Sequence, residues 1–224
     1  MINFTPESFS FLSEVKRENN KGWFEAHRSA YEKTLLNPFR ELVTVLTPLI
    51  LSIDPEIEVR PVINKTISRI FRDTRFSRDK SLFRDSMWFI FKRPGSDWSR
   101  SIPGFYFEIM PGRYRYGMGY YSAAPKIMEA FRQKIDDKPE QFHTIIDTIN
   151  RDGRYDLEGE EYKRPPVCVH DAFIRNWYSK KSFYLACNRS PDDLLYSGKI
   201  IKELESGFLL LAPLYSFLID ITPQ

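Results

Sequence analysis

Apolar positions at the start of the chain recur at helical spacing. Phe9, Leu12 and Val15 are three residues apart, and Asn19-Asn20-Lys21-Gly22 then breaks the pattern. Trp23, His27, Tyr31 and Leu35 follow at four-residue spacing, which predicts one helical face with His27 as a hydrogen-bonded core histidine. Asn37-Pro38 reads as an N-cap with proline at the first helical position. The helix it opens carries an apolar stripe of Phe39, Leu42, Val43, Leu46 and Ile50, with a kink expected at Pro48.

The middle of the chain changes period. Residues 59–68 are rich in β-branched side chains and residues 86–92 form a short aromatic and aliphatic run, so both are expected as strands. Residues 104–110 and 113–118 flank Pro111-Gly112, a turn signal. In the second arm Arg113 and Arg115 alternate with Tyr114 and Tyr116, giving a basic face and an aromatic face. Strands this close together favour antiparallel pairing over crossover units. Helices are expected again at 125–135 and 139–149, each opened by proline, then a strand at 182–186 and helices at 191–204 and 208–219. The expected fold is a single α+β domain over residues 1–224, with a central antiparallel sheet and helices from both terminal segments.

Composition fits a globular protein: 42% hydrophobic and 28% charged residues in near balance, over 224 residues. The 15% aromatic content predicts bulky side chains in a core or cleft. The start has no basic stretch followed by an apolar run, and apolar segments such as 208–218 are interrupted by Pro213 and Ser216. Cys168 and Cys187 read as free, packed thiols. A cytoplasmic protein without a membrane span is expected.

Charge is distributed unevenly. Residues 65–84 hold seven basic and two acidic residues, a local +5, while the whole chain is only +3. Arg69, Arg72, Arg75 and Lys80 supply forked donors and a point charge suited to phosphate or carboxylate, with Asp73 and Asp79 placed to orient them. The motif Arg69-x-x-Arg72-Asp73-x-Arg75-Phe76-x-x-Asp79-Lys80 resembles the signature of a widespread, mainly bacterial family, domain of unknown function 2461. Asn19-Asn20-Lys21-Gly22-Trp23-Phe24 with His27-Arg28 and Tyr31 resembles the family's opening, and Lys163-Arg164-Pro165-Pro166 and Lys181-Ser182-Phe183 its later landmarks. The chain departs in carrying Leu82-Phe83-Arg84 where the family has Pro-Tyr-Lys, so it lacks a tyrosine hydroxyl there. The resemblance implies a fold and a candidate site, and no established reaction.

Sharper motifs fail on their surroundings. Ser77-x-x-Lys80 lacks the partner motifs of a serine-lysine enzyme. Asp156 with Glu161-Tyr162-Lys163 is too closely spaced for a metal nuclease and reads as a solvated loop. Gly112, Gly117 and Gly119 make no phosphate loop, and His143 and His170 have no ligand neighbours at metal spacing. His170-Asp171 reads as loop rather than an acid-base pair. The leading expectation is a binding module for a phosphate-bearing small molecule or nucleotide at Arg69, Arg72, Asp73, Arg75 and Lys80. Two alternatives stand beside it: a metal-assisted phosphoester hydrolase with Asp73 and Asp79 as ligands, and an interaction protein whose segment is a structural salt-bridge network. Nucleic acid is a lesser partner, because the basic charge occupies one segment. The sequence assigns no cofactor, catalytic residue or oligomeric state.

Overall fold

The computed structural model describes residues 4–75, 78–95, 101–120 and 122–221. Helix α1 (Pro6–Glu18) begins with proline, whose missing N–H breaks no intrahelical bond there. Asn19 ends it in the left-handed region (φ 43°), donating its N–H to the Val15 carbonyl at 3.0 Å. Asn20 then caps α2 (Lys21–Ala26), its Oδ1 accepting from the Trp23 N–H at 3.0 Å. Two consecutive asparagines thus end one helix and start the next.

The four-residue phase expected from Trp23 to Leu35 fails at His27. This residue, with φ −111° and ψ 14°, separates α2 from α3 (Arg28–Tyr31), and the buried face rotates across it. Phe24 takes the core position, Trp23 is half-buried, and His27 is exposed. His27 stacks on Trp23 with ring centroids 4.1 Å apart, so it is a surface histidine and not a core one.

Asn37 is not an N-cap either. A π-helical turn (Glu32–Leu36) runs directly into α4 (Asn37–Ile53), and Asn37 is itself helical. Pro38 has no N–H for the Thr34 carbonyl four residues back, and the Ser8 hydroxyl donates to that carbonyl at 2.7 Å. Phe39, Leu42, Val43, Leu46 and Ile50 are fully buried along α4, as the stripe predicts. Arg28–Ile53 is the one helix among the described residues long and apolar enough to cross a membrane, and this stripe packs into the protein's own core.

Strands β1 (Met87–Phe91), β2 (Gly104–Met110), β3 (Arg113–Gly119), β4 (Asp156–Glu158) and β5 (Tyr184–Arg189) form one sheet in the order β1-β2-β3-β5-β4. Pro111-Gly112 closes the β2–β3 hairpin, with Gly112 at φ 74°. Tyr114 and Tyr116 are buried, while Arg113 is exposed and Arg115 half-buried on the other face. The short β4 pairs antiparallel with β5, Asp156 opposite Ala186. Beside it, β3 meets β5 so closely that a Cβ on Gly117 would lie 1.8 Å from the Leu185 carbonyl oxygen. Residues 59–68 do not form the expected strand, because Asn64 (φ 66°) turns the chain between single bridging residues, Ile63 and Ile67.

Helices α5 (Pro125–Asp137) and α6 (Pro139–Asp152) follow their proline signals. Helix α7 (Ala172–Tyr178), unlike these, was not anticipated; Asp171 caps it by accepting from the Phe173 and Ile174 N–H groups, both at 3.0 Å. The late helical region divides at Gly198 (φ 75°) into α8 (Asp193–Tyr196) and α9 (Ile200–Ile219). Helix α9 runs through residues 206–207, where two helices were expected to meet. The fold is α+β, a central antiparallel sheet flanked by helices from both terminal segments. Cys168 and Cys187 are both free thiols.

The chain gathers into two compact units. Met1–Phe91, Tyr106–Tyr116 and Asn188–Glu205 form one, whose core links Phe4 to Phe39 (5.3 Å) and Phe89 to Phe107 (5.8 Å). Lys92–Phe105, Gly117–Cys187 and Ser206–Gln224 form the other, centred on Phe183, with Phe131 at 4.9 Å and Trp177 at 5.0 Å.

Candidate functional site

The Arg-Asp segment is a loop with a closed base. Thr66 and Ser68 hydrogen-bond alongside β1: Ser68 N–H donates to the Trp88 carbonyl (2.8 Å), and Ile90 N–H to the Thr66 carbonyl (2.9 Å). Farther along, Arg72 N–H donates to the Leu82 carbonyl and Arg84 N–H to the Ile70 carbonyl, both at 2.9 Å. Phe71 and Phe83 bridge between these bonds, their rings 4.9 Å apart and resting on Phe24. Asn19 Oδ1 accepts from the Leu82 N–H at 2.6 Å, which ties the base to the α1–α2 junction. The loop that projects from this base carries Asp73, Thr74, Arg75, Arg78, Asp79 and Lys80. Phe76 and Ser77 lie outside the described residues, and with them the serine of the Ser77-x-x-Lys80 pattern.

Within the loop each carboxylate holds arginine. Asp73 takes a bidentate fork from Arg75, Nε to Oδ1 at 3.0 Å and Nη2 to Oδ2 at 2.8 Å, and Arg69 Nη2 lies 3.5 Å from its Oδ2. The Arg75 side chain and then its N–H hold the Asp73 carboxyl well below the usual range, so it is ionised. Asp79 Oδ2 meets Arg72 Nη1 at 3.1 Å, and the Ser81 backbone N–H is the main group lowering its carboxyl. Lys80 Nζ donates to the Thr74 carbonyl at 2.8 Å. Arg72 is the least exposed of the cations, and its Nε is buried with no partner among the described residues. Arg84, at the base of the loop, lies over the Trp88 ring at 4.8 Å.

Geometry therefore brings Arg69, Asp73 and Arg75 together, joins Arg72 to Asp79, and turns Lys80 onto the loop backbone. Asp73 and Asp79, the carboxylates of the hydrolase alternative, are each engaged by arginine. Among the described residues no three His, Cys, Asp or Glu side chains converge as metal ligands would. Asp156 lies on β4, while Glu161 accepts from the buried Lys180 ammonium at 2.6 Å. His170 pairs with Asp136 at 2.8 Å rather than with Asp171, whose carboxylate caps α7 and lies 3.8 Å from His143.

A feature the sequence reading missed lies within the same unit. A cleft of about 610 Å³ is lined by Ser13 and Lys16 of α1, by Asp85 and Ser86, and by the tip of the β2–β3 hairpin. Lys16 pairs with Asp85 at 2.5 Å, and Arg115 with Glu108 at 2.7 Å. The Lys16 ammonium is the main cause of a lowered Asp85 carboxyl, with Arg72 adding to it from farther away. The alternation of Arg113 and Arg115 with buried tyrosines was the one signal of this cleft in the sequence.

The profile of a family described as conserved hypothetical protein (DUF2461) matches residues 7–217. The chain belongs to this family. The match includes the Arg-Asp loop, the Asn19-Asn20 junction that anchors it and the β2–β3 hairpin. No curated protein matches the sequence.

Proposed function

We propose that residues 69–80 bind a phosphate-bearing small molecule or nucleotide, in a cytoplasmic protein whose partner is that anionic ligand. The observation that carries this reading is Arg72. Its guanidinium is held by Asp79 at one nitrogen while its Nε is buried without a partner among the described residues. A buried donor left unmade is costly, so a shift of the side chain that brings this N–H to an oxyanion at the loop would be favourable. Arg69 and Arg75 flank the loop with their forks oriented by Asp73, whose carboxylate is occupied by arginine and so turned away from a negatively charged ligand. The local +5 of residues 65–84 supplies the attraction.

A second reading rests on the same pairs. Every carboxylate in the loop binds an arginine, which suits a network that fixes loop geometry. One experiment separates the two. Thermal-shift screening of nucleotides and sugar phosphates should find a ligand that raises the melting temperature. Arg72→Ala should then weaken that ligand by about tenfold to a hundredfold with the fold intact, while Arg78→Ala changes little. Should no anion move the melting temperature while Arg72→Ala unfolds the protein, the loop is structural.

A further inference from the structure

We propose that the cleft between α1 and the β2–β3 hairpin is a separate binding site, for a small hydroxylated molecule bearing one phosphate or carboxylate. The inference is independent of the Arg72 loop and stands or falls without it. Its volume, about 610 Å³, is that of a small-molecule site. Three cations and two carboxylates line it: Lys16, Arg113 and Arg115 against Asp85 and Glu108. Two of the cations are neutralised in place by the Lys16–Asp85 and Arg115–Glu108 pairs. Arg113 is the remaining one.

Arg113 lies on the exposed end of β3, beside the turn, and its Nε donates to the Met110 sulfur at 2.7 Å. A thioether is a weak acceptor, and among the described residues Arg113 has no carboxylate partner. The guanidinium therefore offers its remaining N–H groups to an oxyanion at little cost. Net charge in the cleft is matched by a single acidic group.

The rest of the lining selects the body of the ligand. Ser13 gives its hydroxyl proton to the Phe9 carbonyl at 3.1 Å, so it meets a ligand as an acceptor. Asp85 and Glu108 each spend part of their lone-pair capacity on one cation and keep the remainder. Acceptors on this scale call for hydroxyl donors rather than an apolar body. Sugar phosphates and sugar acids share that chemistry.

The test is an NMR titration of the full-length protein with ribose 5-phosphate, gluconate and uncharged ribose. Ribose 5-phosphate or gluconate should shift the Arg113 Nε–H and the Ser13 and Ser86 amides saturably, and the stronger of the two names the head group. Ribose should bind at least about tenfold more weakly. Arg113→Ala should lose at least about tenfold in affinity, with the melting temperature unchanged because the residue is exposed. Arg75→Ala, at an exposed side chain of the 69–80 loop, should leave this binding as it is. The proposal is overturned if ribose binds as well as the charged probes, if Arg113→Ala binds like the wild type, or if no probe shifts these three residues. Loss of binding in Arg75→Ala alone would overturn it too, placing the probe on the 69–80 loop and leaving the earlier reading intact.

Discussion

The Ser8 hydroxyl donates to the Thr34 carbonyl across 26 residues of chain, replacing the N–H that Pro38 lacks. Ser8 is fully buried, so water does not reach this bond from its side. Ser8→Ala should leave the carbonyl without that donor and cost about 1–3 kcal/mol in urea denaturation. An unchanged midpoint would mean the π-turn satisfies Thr34 by itself.

Tyr31 presents the opposite case. Its hydroxyl is buried with no partner among the described residues, and burial pushes the phenol up to about 12. Tyr31→Phe should be neutral or stabilising by up to about 1 kcal/mol. A raised folded value gives a contribution present below about pH 10 and lost as pH rises through 12, since only the unfolded phenol ionises early. The variant should therefore lose less stability than the wild type between those limits, measured by denaturation at each pH.

For Asp73 the sign reverses. Arg75 depresses its carboxyl, so the contribution is present above the ordinary value of 3.8 and lost as pH falls below it. Asp73→Asn should remove part of the acid-induced loss of stability. At neutral pH the exposed pair should contribute little, so the two proteins should melt almost together.

Gly117→Ala should be among the most damaging single changes in the sheet. The added Cβ would lie 1.8 Å from the Leu185 carbonyl oxygen, which is backbone and cannot swing aside. A loss of about 3 kcal/mol or more is expected, and soluble expression with wild-type melting would show that β3 and β5 part more easily than their packing implies.

Replacing Leu46 by Ala removes a fully buried side chain from the α4 stripe. Denaturation should show a loss of about 2–5 kcal/mol.

Long periodic elements were legible in the sequence for simple reasons. The α4 stripe repeats over several turns, and Pro111-Gly112 punctuates two alternating arms. Reading failed where one residue resets the phase, as at His27, or where a turn of a few residues replaces a strand, as at Asn64. The three-residue β4 is too short to show a period, and its identity comes from β5 beside it. Helix α7 did carry a signal, Asp171 ahead of an apolar run, which reads equally as loop chemistry. The Arg-Asp loop was visible because its charges are contiguous. The cleft draws on α1, residues 85–86 and the hairpin, which no local pattern connects.

The path of the chain between its two units sets what cutting it can achieve. It crosses from one to the other five times, and four of the crossings fall inside β2, β3, β5 and α9. Val167, 89% exposed, is an open target for a protease. A cut there leaves an N-terminal and a C-terminal fragment that each hold pieces of both units. Limited digestion should thus yield a nicked protein rather than a released half, and neither unit can be expressed as one uninterrupted stretch of the gene.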